Sequence, residues 1–214
     1  MTNDTISLDQ LTGWLTRFRA LVTEQVSYLI ELDSAIGDAD HGSNMTHGMG
    51  AVIDKLRASP AGTVDELYKG AGMTLVTSVG GASGPLYGTL FLRIGTTAGP
   101  VVTLDGPGLA AALRAGMVGV VARGRAEAGD KTVFDVLLPA LAAFDAALAG
   151  STDITAAARA ADCAVRTGRD ATAALLARKG RASYLGERSI GHIDPGAAST
   201  SLLFQALAEI LDKE

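Results

Sequence analysis

Between Leu32 and Met45 the chain reads Leu-Asp-Ser-Ala-Ile-Gly-Asp-Ala-Asp-His-Gly-Ser-Asn-Met, and three carboxylates, Asp33, Asp38 and Asp40, fall within eight positions. No Lys or Arg lies inside the stretch. Crowded carboxylates repel one another unless they take up protons or a cation. Hard oxygen donors with open positions suit Mg²⁺, which keeps waters and shares phosphate oxygens. Gly37 and Gly42 let the backbone turn between and after the acids. Ser43-Asn44 reads as the start of a helix, where outward N–H groups favour an anion. One loop therefore offers a cation site and a phosphate seat side by side. Two other uses of such a loop must be weighed. Asp and Gly are ordinary turn formers, and a solvated turn is the plain alternative. A calcium loop begins in the same way, but it requires Gly at its sixth position and Glu at its twelfth; counted from Asp38, these are Ser43 and Met49.

Three further loops carry chemistry. Gly80-Gly81-Ala82-Ser83-Gly84-Pro85 combines small residues, a capping Ser and a first-turn Pro, and so opens onto a helix while leaving its N–H groups bare. A plain helix–helix turn has the same composition. Gly124 to Thr132 looks like a P-loop with one residue too many, because Asp130 stands between the Gly and Lys131-Thr132. A P-loop also needs a preceding strand, and the pattern there is helical, so the stretch reads as a glycine turn. Gly180 to Gly186, with Arg181 and Tyr184, and Gly191 to Gly196 could hold a base or a phosphate, or could be surface turns.

The elements that must position these loops are helical. Leu8, Leu11, Leu15, Phe18, Val22, Val26 and Leu29 step by three or four and form one face of a long first helix, capped by Ser7 and left at Gly37. Further helices are expected over Ser43–Arg57, over Thr63–Val79 behind a capping box at Thr63 and Glu66, after Pro85, up to Arg123, up to Ala149, over Ser151–Arg178 and over Ala197–Leu211. Gly95 to Gly108 reads as a connection, and no stretch makes a convincing strand. The expected fold is all-α: one domain over 1–214, an eight-helix antiparallel up-and-down barrel. Consecutive antiparallel helices put alternate connections at one end. The loops after the first, third, fifth and seventh helices are the four chemically loaded ones, so all should share a mouth.

Composition narrows the function classes. The chain has 214 residues, 48% hydrophobic and 19% charged, with a net charge of −5 and a pI near 5.2. That balance disfavours a nucleic-acid binder or a partner of anionic membranes. The single cysteine, Cys163, excludes an internal disulfide and fits a reducing, cytoplasmic setting; in an Ala-rich helix it is expected as a buried small residue. Met1 to Asp9 lacks the pattern of a secretory signal, and Val133 to Ala149 is too broken by Asp135, Pro139 and Asp145 to span a membrane.

The Asp-rich stretch closely resembles the signature of the nucleotide-binding L subunit of dihydroxyacetone kinases, gapless over Leu-Asp-x-x-x-Gly-Asp-x-Asp-His-Gly-x-Asn-Met. Gly80 to Gly88, Gly129 to Thr132, Gly180 to Tyr184 and Asp194-Pro195-Gly196 continue the resemblance in the family's order. It implies an eight-helix barrel with ADP or ATP in a funnel at one end. Asp33, Asp38 and Asp40 would ligate two Mg²⁺. His41, Gly42, Ser43, Asn44, Ala82 and Ser83 would line the phosphates, Gly124 and Val133 would border the base, and Arg181 with Asp194, Pro195 and Gly196 would close over the nucleotide. The implied reaction is transfer of the γ-phosphoryl group to dihydroxyacetone held on a separate K subunit. In the bacterial three-part system the ADP stays bound and is rephosphorylated by a phosphohistidine protein of the sugar phosphotransferase system. An ATP-exchanging subunit for another short ketose and a non-catalytic ADP-sensing module are the alternatives. The oligomeric state, a homodimer included, stays open.

Overall fold

A computed structural model describes residues 4–212. Of the N-terminal segment expected to carry no signal, Met1 to Asn3 lie outside the described residues. The fold is all-α, with nine α-helices and two short strands among the described residues: β1 (Thr5–Ser7), α1 (Leu8–Glu24), α2 (Val26–Ile36), α3 (His41–Ala58), α4 (Val64–Ser78), α5 (Ser83–Ala98), β2 (Thr103–Asp105), α6 (Gly106–Gly124), α7 (Phe134–Gly150), α8 (Ile154–Ala171) and α9 (Pro195–Leu211).

The ninth helix arises because the expected long first helix breaks at Gln25, whose φ of −104° and ψ of 13° turn the chain. Nothing in the local sequence marks the break. Its role is tertiary: it lays α2 against the start of α3, where a Cβ on Gly42 would stand 2.5 Å from the Val26 carbonyl oxygen. Counting α1 and α2 as one position, eight members close into a ring. α1 packs beside α3, α3 beside α4, and so on in chain order to α9, which packs back on α1. The connections are short, so neighbours run antiparallel.

α9 is buried on nearly every side, through Ala197, Ala198, Ser199, Leu203, Phe204 and Leu207 among others. A helix apolar or small all round belongs inside. Trp14 of α1 donates its indole N–H to the Leu203 carbonyl at 2.7 Å. An aromatic belt crosses the interior, with Trp14, Tyr68, Phe91, Tyr87 and Phe18 in successive ring contact. Antiparallel β1 and β2, with Ile6 opposite Leu104, close the end where α1 and α6 begin.

Several local expectations change. The Gly95–Gly108 connection contains the end of α5 and β2, a three-residue strand that needs its distant partner to exist. Ser7 does cap α1, in a reciprocal bond with Gln10. The Thr63 capping box does not form: Thr63 gives its hydroxyl to Asp65, and Glu66 accepts from Gly62 N instead. Helix α3 starts at His41, ahead of Ser43. α8 stops at Ala171, seven residues before Arg178. Beyond it come two 3₁₀ stretches, Thr172–Ala174 and Arg181–Ser189, tied to each other through Ala177 N to Ser189 Oγ and Gly191 N to the Ala173 carbonyl, and to the Asp130 loop through Arg178 N. Cys163 is exposed: it lies two residues, about 200° of helix, from Ala161 on the buried stripe of Ile154, Ala157, Ala158, Ala161 and Val165.

Candidate functional site

Helix polarity decides which loops meet. α2, α4 and α6 end, and α3, α5, α7 and α9 begin, around one cavity of about 450 Å³, and the segment after α8 reaches it at Lys179. Its lining takes residues from all the chemically loaded loops: Asp33 to His41, Gly81 to Ser83, Arg123 to Val133, Lys179 to Ala182 and Asp194 to Gly196. The lining combines apolar Ile36, Leu86, Val120 and Val133 with the acids and Arg181.

The acid side is built from the end of α2. Asp33 is only 7% exposed, and its Oδ2 accepts the backbone N–H of Asp40 at 2.8 Å and of His41 at 3.1 Å. Those bonds fold the Gly37–Asp40 loop back over the helix end. Gly37 is required there, since a Cβ would lie 2.0 Å from Asp33 Oδ1. Ala39 sits at φ 64°, a left-handed conformation that costs an L-residue about 1 kcal/mol. The turn brings Asp33, Asp38 and Asp40 together: one carboxylate oxygen of each lies within 4.8 Å of the others. Asp40 precedes α3 but its side chain does not cap it. This donor set fits a hard divalent cation, being all oxygen and open on the cavity side. Among the described residues the countercharge is Arg181, brought from the opposite loop to 2.9 Å from Asp38 Oδ2.

Helix ends supply the complementary field. α1, α6, α8 and α9 have side-chain caps from Ser7, Asp105, Asp153 and Asp194. α2, α3, α4, α5 and α7 have none; of these α3, α5 and α7 open on the cavity, and in α3 the His41 N–H already goes to Asp33. Uncapped first turns leave N–H donors for an outside acceptor. Ser83, expected as a cap, is the first residue of α5 and its hydroxyl meets His41 Nδ1 at 3.0 Å instead.

His41 is buried, with Nε2 2.8 Å from Ser199 Oγ, and burial pushes its pKa down to about 4 against the pull of Asp33. Both ring nitrogens are thus engaged inside the protein. Gly42, Ser43 and Asn44 are not among the cavity-lining residues, Gly42 being buried and Ser43 exposed, whereas Ala82, Ser83, Gly124, Val133, Arg181, Asp194, Pro195 and Gly196 are on it.

The far wall rests on Lys131, Asp130 and Asp194, whose partners the sequence did not indicate. Lys131, in a left-handed turn at φ 63°, is 2% exposed and donates to the carbonyls of Thr172, at 2.6 Å, and His192. Burial lowers its pKa, with Asp194 opposing. Asp130, the residue that spoils the P-loop, accepts from Glu127 N and, through its backbone carbonyl, from Arg178 N. Asp194 caps α9 through Ala197 N at 2.7 Å, and burial pushes its carboxyl up to about 7. The sequence marks Lys131 only as part of a rejected P-loop and of the Gly129–Thr132 resemblance, with no structural role attached. Tyr87 and Ser199 looked like ordinary members of a helix.

An all-helical cup with clustered carboxylates and open helix ends at its mouth is built to hold a cation and an anion together. Residues 35–209 match the DAK2 domain model. The chain is 44% identical over 205 residues to the ADP-binding subunit DhaL of the PEP-dependent dihydroxyacetone kinase of Escherichia coli, covering 95% of this chain and 97% of the relative. It is 42% identical over 206 residues to the corresponding PTS-dependent subunit of Lactococcus lactis, covering 96% and 99%. A crystal structure of the dihydroxyacetone kinase from C. freundii in complex with AMP-PNP and Mg²⁺ superposes with a TM-score of 0.73 at 24% identity, over 98% of this chain; the chain spans 35% of that kinase's length. The chain belongs to the DAK2-domain family, in the branch of dihydroxyacetone kinase L subunits.

Proposed function

We propose that this chain is the nucleotide-binding subunit of a dihydroxyacetone kinase, a phosphotransferase that works with a separate ketose-binding K subunit. The observation that carries the proposal is the meeting of three carboxylates with the uncapped starts of α3 and α5 on one cavity. Neither half suffices alone: the acids would repel a nucleotide, and the helix ends would attract any anion. Relatives named as ADP-binding subunits, matched along nearly their whole length, support ADP or ATP as the ligand.

Asp33, Asp38 and Asp40 would hold Mg²⁺, two ions in the full arrangement, and the metal when bound neutralises charge on the phosphates. Phosphoryl transfer asks for positioning and charge compensation more than covalent work. The first-turn N–H groups of α5, with those of α3 that Asp33 does not take, orient the phosphates. Ile36, Leu86, Val120 and Val133 take the base end and exclude water, with Gly124 at their edge. Arg181 waits at the rim, and Asp194-Pro195-Gly196 closes the far side. The bond between the γ-phosphorus and the oxygen of ADP breaks as one forms to a hydroxyl of dihydroxyacetone. The ketose and the group that takes its proton belong to the K subunit. In this reading the ADP stays in place and is rephosphorylated by a phosphohistidine donor protein in the cytoplasm.

Native mass spectrometry of the chain after dialysis with Mg²⁺ tests the proposal. Retained ADP and Mg²⁺ are expected, both lost in Asp38→Asn and Asp40→Asn with helix content unchanged. Normal ADP affinity in both variants would sink it. Free exchange of bound ADP with added ATP would replace the phosphohistidine donor by ATP itself.

A further inference from the structure

A buried chain of hydroxyls ends on His41, and nothing in the proposed function uses it. Ser199 Oγ lies 2.8 Å from His41 Nε2 and 2.7 Å from the Tyr87 hydroxyl, and donates to the Gly196 carbonyl at 3.1 Å. The Tyr87 hydroxyl also reaches Thr200 Oγ1 at 3.0 Å. At the other face of the imidazole, Nδ1 meets Ser83 Oγ at 3.0 Å. The network joins the starts of α3, α5 and α9, three of the helix ends that form the cavity.

Proton counting orients it. A serine hydroxyl has one proton and two lone pairs, and a neutral imidazole has one N–H and one bare nitrogen. Giving the Ser199 proton to the Gly196 carbonyl, which can only accept, leaves Ser199 to accept from its other two neighbours. Nε2 must then carry the histidine proton, and Tyr87 can add its own. Nδ1 is left bare and accepts the proton of Ser83. We infer that Ser199 and Tyr87 are positioning residues: they fix His41 as the Nε2–H tautomer, which draws the Ser83 hydroxyl proton away from the cavity. Ser83 then faces a ligand with an oxygen lone pair and with the backbone N–H groups of its helix turn. Its hydroxyl suits a cation or a metal-bound water, and a phosphate oxygen is met by the backbone alone. The consequence for the ligand rests on the nucleotide reading above; the tautomer does not.

Histidine ring ¹⁵N NMR on the ligand-free chain reads the tautomer directly. His47 and His192 are exposed, and changing both to Gln leaves His41 as the single signal. The expected spectrum is neutral Nε2–H in the parent, with the Nδ1–H form appearing in Ser199→Ala and restored towards the parent in Ser199→Thr. Tyr87→Phe, which removes only the outer donor, should shift the same balance by less. An Nδ1–H parent, or a tautomer unmoved by Ser199→Ala, would overturn the inference. In the ligand arm, Ser83→Ala should raise the Mg²⁺ concentration needed for half-maximal ADP binding by about tenfold, equivalent to one lost hydrogen bond, and leave ADP affinity at saturating Mg²⁺ within about twofold. An equal loss of ADP affinity at every Mg²⁺ concentration would show a hydroxyl donating to phosphate and overturn the orientation. A parent chain with the expected tautomer but no ADP binding would defeat the nucleotide reading and leave the histidine assignment standing.

Discussion

Replacing Asp33 separates its two roles, because its carboxylate both shapes the loop and supplies charge. In Asp33→Ala the N–H groups of Asp40 and His41 lose their acceptor at a site only 7% exposed. Hydrogen bonds to a charged group contribute about 1.5–3 kcal/mol each, so the Ala variant should lose about 3–6 kcal/mol before any relief of charge repulsion. For a chain of 214 residues this lowers Tm by about 10 °C. Asp33→Asn keeps an oxygen in place and loses about 1–2 kcal/mol from the weaker acceptor. Relief of repulsion offsets part of the loss in both variants: unit charges at 4.8 Å interact by about 3.5 kcal/mol at an effective dielectric constant of 20, and less than that where, as at Asp38, one carboxylate is exposed to water. The Asn variant should therefore melt within a few degrees of the parent. Its binding should fail all the same. The lost attraction to a divalent cation is at least twice the same Coulomb figure, and at about 1.4 kcal/mol per tenfold this supports a loss of Mg²⁺-dependent ADP affinity beyond about 100-fold. Calorimetric titration of ADP with and without Mg²⁺, beside thermal melts, measures both quantities. An Asn variant that binds Mg²⁺-ADP like the parent, or an Ala variant with the parent's Tm, would refute the reasoning.

Gly37→Ala removes no ligand, yet its new Cβ would start 2.0 Å from Asp33 Oδ1; Mg²⁺-dependent ADP binding should fall at least about tenfold by displacement of that carboxylate, as read by the same titration. Tyr68→Phe should stabilise the chain by about 1–2 kcal/mol, because the Tyr68 hydroxyl is fully buried without a hydrogen-bond partner; urea midpoints would show it. The Asp194 carboxyl binds its proton more tightly folded, at about 7, than unfolded, near 3.8. Its contribution to stability is therefore full below about pH 4 and lost as the pH rises through about 7. Asp194→Asn, which keeps an oxygen for Ala197 N, should gain stability over the parent at pH 8 and match it at pH 4 in urea melts.

The sequence by itself determined most of the helices and which loops meet at one end. Apolar spacing on one face suffices to form a helix, and glycine with aspartate suffices to end one, so α3, α4, α6, α7 and α9 lie close to where periodicity puts them. The alternation of loops then placed Asp33, Ser83, Gly124 and Arg181 at one end before any contact was known. Only the tertiary structure decided the break at Gln25, the pairing of β1 with β2, the exposure of Cys163 and the early end of α8. Each depends on a partner far away in the chain, which local propensity does not encode. The same holds for the polar interior of the site. Lys131 is held by the carbonyls of Thr172 and His192, and His41 by Ser83 and Ser199. A buried polar group must find its partners wherever packing brings them, so those partners become visible only once the barrel closes.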